Sequence, residues 1–307
     1  MTTAISVDGL RKTYRDIVAI DDVSLHVQRG EIFGIIGPNG SGKTTTVECL
    51  QGLRTPDAGD ISILDLDPRT QGEALRRRIG SQLQESALPE RIKVWEALDL
   101  FVTARSASRP WQEVAEEWSI YHRRNSVFAN LSGGERQRLF IALALITDPE
   151  LVFLDEMTTG LDPAARRVAW SLIKSVRERG TTVVLVTHFM DEVEHLCDRL
   201  AVFRDGRVLA VDSPSGLVQQ HGNERTVRFS TTAADLSWLS GVTDVESYEQ
   251  QGEAVTVRGR DAVLAHVAAA LVARGQAPPD LRVEMPTLED VYMTFVGTQP
   301  NENGPSA

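Results

Sequence analysis

Apolar and polar residues alternate over residues 4–7 and again over residues 23–27, the period of half-buried antiparallel strands. Thr13-Tyr14-Arg15 and Asp21-Asp22 read as turns between them, and Arg29-Gly30 as another. The alternation then stops. Residues 32–36, 151–154 and 182–186 are nearly continuous apolar runs, as expected of parallel strands covered on both faces. Helix-like segments are expected over residues 45–53, 73–79 and 163–179, the last closed by Gly180. Arg76-Arg77-Arg78 on the second of these reads as a solvated helix face. Short strands are expected at 61–64 and 79–84, and Asp205-Gly206 between two apolar runs signals a hairpin.

From about Val94 to Asn130 the strand signals vanish. Val94, Ala97, Leu98, Phe101 and Val102 recur at helical spacing, as do Trp111, Val114, Ala115 and Trp118. This predicts a helical insert, placed at about residues 85–135, within strand-based structure. The composition turns polar over residues 213–223, which sets a boundary between a first domain, 1–215, and a small α+β module, 224–297. That module shows strand patterns at 226–229, 254–257 and 281–285 and helical patterns at 261–273 and 287–295. Residues 298–307 lack large apolar side chains and are expected to be disordered.

Composition narrows the function. A net charge of −11 over 307 residues argues against a broad basic face, so no nucleic-acid partner is expected. The two cysteines, Cys49 and Cys197, have neither disulfide-framework nor metal-ligand spacing. No apolar window is long enough to span a bilayer and the N-terminus has no signal-peptide pattern, so any work at a membrane requires a second chain.

The chemistry concentrates in two stretches. Gly37-Pro38-Asn39-Gly40-Ser41-Gly42-Lys43-Thr44 lies between an apolar strand and a helix and fits the phosphate-binding P-loop. Its glycines let successive N–H groups converge on an anion, and the helix start adds positive partial charge. Lys43 supplies a mobile cation, Thr44 a hydroxyl for Mg²⁺, and Thr45 extends the set. The run at 151–154 ends in Asp155-Glu156. A carboxylate at the end of a parallel strand near a P-loop suits Asp155 to Mg²⁺, and Glu156, one residue on, to polarising a water.

A third motif, Leu131-Ser132-Gly133-Gly134-Glu135-Arg136-Gln137-Arg138, closely resembles the signature of the ATP-binding-cassette (ABC) ATPases. The resemblance covers roughly residues 4–215. It implies a P-loop NTPase α/β fold with an antiparallel β subdomain and a helical subdomain, and ATP with Mg²⁺ as ligands. It also implies that Gln84 reaches the metal and the lytic water, that His188 meets the γ-phosphate, that Tyr14 stacks on adenine, and that residues 159–162, ending in Asp162, cross a dimer interface. Two residues depart from the family pattern: Glu135 stands where glutamine is usual, and Met157 where proline is usual. Glu135 is expected to bring negative charge toward the triphosphate and to weaken closure. His26, His122, His195, His221 and His266 have no comparable context.

In that family two ATPase subunits close head to tail on two ATP molecules, each site joining Lys43, Thr44, Asp155 and Glu156 of one copy to Ser132 and Gly134 of the other. Glu85-Ser86-Ala87-Leu88 and Trp95 are the expected contacts with a membrane permease. The ending Pro286-Thr287-Leu288-Glu289-Asp290-Val291-Tyr292 resembles that of bacterial multidrug and antibiotic (daunorubicin-resistance-like) exporters. The implied function is ATP hydrolysis coupled to drug or lipid export at the cytoplasmic face of the cell membrane. A soluble ABC ATPase acting on ribosomes or DNA, and an importer ATPase, are the alternatives.

Overall fold

A computed structural model describes residues 2–82, 88–105, 109–222 and 225–297. Gln84, Glu85, Ser86, Ala87, Asn223 and the tail 298–307 lie outside the described residues. The chain divides into two compact units, Met1–Pro214 and Ser215–Ala307.

The first unit runs β1 (Thr3–Tyr14), β2 (Ile17–Gln28), β3 (Ile32–Ile36), α1 (Lys43–Leu50), β4 (Ala58–Ile63), α2 (Gly72–Arg76), β5 (Ile79–Gln82), α3 (Val94–Arg105), α4 (Trp111–Glu117), α5 (Gly133–Leu145), β6 (Leu151–Asp155), α6 (Pro163–Glu178), β7 (Thr182–Val186), α7 (Met190–Leu196), β8 (Arg199–Arg204) and β9 (Arg207–Asp212). Two sheets form. One is antiparallel, in the order β2-β1-β4, and the other has six strands in the order β5-β6-β7-β3-β8-β9. Every pairing in the second is parallel except the β8–β9 hairpin. Strands β3, β6 and β7 are buried at every position, which explains their unbroken apolar runs. Phe33, Ile35, Phe153, Val184 and Phe203 join Ile5, Val7, Ile61 and Ile63 in one core cluster.

Because β5, β6, β7 and β3 are parallel, the residues that follow them emerge at one edge of the sheet. That edge of an open α/β sheet is where ligands bind. It collects the P-loop after β3, Asp155 and Glu156 at the end of β6, and Thr187-His188 after β7.

Several local expectations need correction. Asp21-Asp22 is no turn between strands. It is a bulge inside β2, where Leu10↔Val23 and Lys12↔Ile20 bracket one extra residue on β2 and Asp22 takes φ 63°. The first P-loop helix is Lys43–Leu50 rather than 45–53, since Gly52 at φ 68° ends it. Arg78 does not lie on a solvated helix face. It binds both oxygens of Glu150 at 2.5 and 2.8 Å and donates to the Leu64 carbonyl at 2.9 Å. Arg77 does face water, paired with Glu73 across one helical turn. Ile79 belongs to β5, not to the preceding helix.

The second unit contains α8 (Pro214–His221, starting one residue before it), β10 (Arg225–Ser230), β11 (Val245–Gln251), β12 (Ala254–Gly259), α9 (Val263–Ala273), β13 (Arg282–Glu284) and α10 (Leu288–Val296). Its sheet is antiparallel in the order β11-β12-β10-β13. Val227, Phe229, Val255 and Val257 pack on Val263, Val267 and Leu271 of α9. Thr287 caps α10 in a reciprocal capping box with Asp290. Strand β11 was not expected. It is a polar edge strand, exposed at most positions, so no apolar alternation marks it.

Among the described residues no helix is long and apolar enough to cross a membrane.

Candidate functional site

The P-loop is shaped by close backbone approach. A Cβ on Gly42, where φ is 96°, would sit 2.4 Å from the Ala19 carbonyl. A Cβ on Gly37 would sit 2.4 Å from the Phe203 carbonyl. Glycine at both positions is therefore a steric requirement. The loop is also held from outside. The Gly206 N–H donates to the Ser41 carbonyl at 3.1 Å, and the Asp21 N–H donates to the Gly206 carbonyl at 2.8 Å. The Asp205-Gly206 turn and the β2 bulge thus brace the loop. In the sequence both look like local turns only, because tertiary contacts leave no local signal.

Lys43 starts α1, and its Nζ donates to the Gly37 and Pro38 carbonyls at 2.7 and 2.8 Å. Burial lowers its pKa, and the charges of Asp155 and Glu156 oppose that. Ser41 is buried, and its Oγ has no hydrogen-bond partner among the described residues. A buried hydroxyl without a partner beside a glycine cradle fits an anion that brings acceptor oxygens. Asn39, Gly40 and Thr44 are exposed and Thr45 is half-buried.

Asp155 is buried at the end of β6. Burial pushes its carboxyl up to about 6, with the Glu156 charge adding and Lys43 opposing. Glu156 follows in the left-handed region, φ 48°, where its N–H donates to the Val186 carbonyl at 2.9 Å. That turn aims the half-buried Glu156 carboxylate at His188, whose Nδ1 lies 3.3 Å from Oε1. The structure thus brings Lys43, Asp155, Glu156 and His188 together. Among the described residues no cluster of three or more His, Cys, Asp or Glu side chains could hold a metal alone. Asp155 and the Thr44 hydroxyl suit Mg²⁺, which normally takes one or two protein ligands plus substrate phosphates.

The remaining candidates lie on other elements. Tyr14 ends β1, with Lys12 and Arg54 over its ring at 5.5 and 5.4 Å. Asp162 caps α6, its Oδ1 accepting from the Ala164 and Ala165 N–H groups at 2.9 Å. Ser132 caps α5 and is exposed with Gly133, while Gly134 packs against Leu161. Trp95 is half-buried on α3, and Met157 is fully buried.

Glu135 is not a lone charge in the structure. Its carboxylate does not point free toward a ligand. It accepts from the Ser132 N–H at 2.9 Å and from Arg123 Nε at 2.7 Å. Burial alone would raise its pKa, but the Arg123 and Ser132 hydrogen bonds and the Arg123 charge outweigh that and bring it down to about 2. The stabilisation is therefore complete above the ordinary glutamate value of 4.5 and is lost as pH falls toward about 2. Glu135→Gln should lower stability by a constant amount above that range, with the deficit shrinking on acidification. Denaturant unfolding of both proteins across pH checks this, and a pH-independent difference would contradict it.

The family profile for ABC transporters matches residues 20–159. The daunorubicin resistance ATP-binding protein DrrA3 of Streptomyces coeruleorubidus is 37% identical over 306 residues, covering 96% of each chain. The Nod factor export ATP-binding protein I of Bradyrhizobium diazoefficiens is 36% identical over 309 residues, covering 96% of this chain and 97% of that one. Among solved structures, a dimeric post-hydrolysis state of the ATP-binding cassette MJ0796, bound to ADP and Pi, superposes with a TM-score of 0.63 at 26% identity. It covers 68% of this chain and 98% of its own. With a P-loop, a strand-end Asp-Glu pair and a facing histidine on one sheet edge, the chain belongs to the ABC transporter ATP-binding proteins and is an ATPase of that family.

Proposed function

We propose that this chain binds MgATP at the edge formed by β3, β6 and β7, hydrolyses it in a head-to-tail dimer of two copies, and drives export through a separate membrane permease. The observation that carries the proposal is the convergence of Lys43, Asp155, Glu156 and His188, with Glu156 held in a left-handed turn. Residues 37–45 cradle the triphosphate. Lys43 exchanges its two carbonyl partners for phosphate oxygens, and Thr44, Asp155 and Gln84 would hold Mg²⁺. The metal, when bound, neutralises charge building on the phosphates. Glu156 accepts a proton from the attacking water, and His188 keeps its carboxylate oriented. Tyr14 stacks on the base, and Ser132, Gly133 and Gly134 of the second copy grip the γ-phosphate, with Asp162 near the junction.

Export is supported by the two relatives, one named for daunorubicin resistance and one for Nod factor export. The dimer is supported by the dimeric cassette bound to ADP and Pi. Purified protein should release phosphate from ATP only with Mg²⁺ present, and EDTA should abolish release. It should sediment with membranes only when its permease is co-expressed. Metal-independent turnover would contradict the site, and sedimentation without a permease would contradict the partner.

A further inference from the structure

We propose that Arg123 is a positioning residue for nucleotide-driven closure: it cancels the charge of Glu135 and holds that carboxylate on the Ser132 backbone, setting the start of α5 for the other copy's triphosphate. The proposal rests on the reading that Ser132 completes the second copy's site.

Glu135 is only 6% exposed, and both of its oxygens are engaged. Oε2 accepts from the Ser132 N–H, and Oε1 accepts from Arg123 Nε at 2.7 Å. In return Ser132 Oγ accepts from the Glu135 N–H at 3.3 Å, completing a capping box. His122 Nε2 stands 3.6 Å from the same Oε1 and contributes charge only when protonated. Arg123 arrives from a short turn, Tyr121–Arg123, in the helical insert.

A glutamine at position 135 could accept the same Ser132 N–H through its amide oxygen without bringing a charge. A glutamate tightens the cap, because a carboxylate at a helix start meets the positive end of the dipole. It also places a negative charge three residues from the serine that meets a triphosphate. Two anions approaching in a low-dielectric interface repel strongly unless one is compensated. Arg123 supplies the compensation, so the two residues form a coupled pair. Losing Arg123 should matter while Glu135 is present and should matter little once the charge is removed.

The test uses the full chain carrying Glu156→Gln, so that dimers formed with ATP persist, and reads the dimerisation constant by sedimentation. Monomer nucleotide affinity is read separately by dialysis. Arg123→Ala should weaken ATP-driven dimerisation by about 10-fold, the scale of one lost charge-assisted hydrogen bond, with monomer affinity unchanged. Adding Glu135→Gln to Arg123→Ala should return dimerisation to that of Glu135→Gln alone. The proposal is overturned if Arg123→Ala dimerises like its parent, or if the double variant stays as weak as Arg123→Ala. Should Arg123→Ala also lose monomer nucleotide binding through misfolding, Arg123→Lys carries the test. It keeps the charge but not the Nε–H geometry, so a smaller weakening that Glu135→Gln removes is expected, and no weakening overturns the proposal. Ser132→Ala separates the two readings. If it weakens dimerisation and Arg123→Ala does not, only the Arg123 proposal fails; if it has no effect, the head-to-tail reading fails as well.

Discussion

Glu156→Gln is expected to lower ATP turnover by more than about 100-fold while leaving nucleotide binding intact, because in the proposed mechanism it removes a general base but no phosphate contact. The geometry makes the effect specific. Glu156 sits in a left-handed turn fixed by its own N–H on the Val186 carbonyl, so the substitution changes neither backbone nor fold. The amide keeps an oxygen near His188 Nδ1, now 3.3 Å from Glu156 Oε1, but cannot take a proton from water. Phosphate release by the purified variant, beside its nucleotide affinity, checks both halves. Turnover near wild type would remove Glu156 from the chemical step.

Lys43→Ala is expected to act on binding instead. The ammonium is the P-loop's cation, and the charges of Asp155 and Glu156 reach it. Its two bonds to the Gly37 and Pro38 carbonyls must be given up when phosphate arrives, which offsets part of the gain. One net charge-assisted interaction of about 2 kcal/mol remains, or about 30-fold in affinity. Equilibrium dialysis with ATP should show that weakening. Equal affinity would mean that backbone N–H groups alone carry the phosphate and that Lys43 is bystander to binding.

The central edge of the sheet was legible in the sequence because its determinants are local. A glycine-rich turn and a strand ending in two carboxylates each occupy a few consecutive residues, and parallel strands announce themselves by unbroken apolar runs. Long-range features were not legible. That Gly206 would donate to Ser41 depends on how a hairpin meets a loop far away in sequence. The bulge at Asp21-Asp22 looks like a turn because both need polar residues tolerant of positive φ. Arg78 read as solvated because its partner, Glu150, lies just before another strand. Strand β11 carries mostly polar side chains at a sheet edge, so it has no apolar face to betray it. Glu135 looks like a lone charge in the sequence, because its pairing with Arg123 comes from an element twelve residues away.

The proposed mechanism requires conditional closure, in which two copies dimerise because each nucleotide is gripped from both sides. Sedimentation of Glu156→Gln protein without nucleotide, with ATP and with ADP tests it most directly. Monomers alone and with ADP, and a stable dimer with ATP, are the predicted result. A species that stays monomeric with ATP, or an equal dimer without any nucleotide, would contradict it.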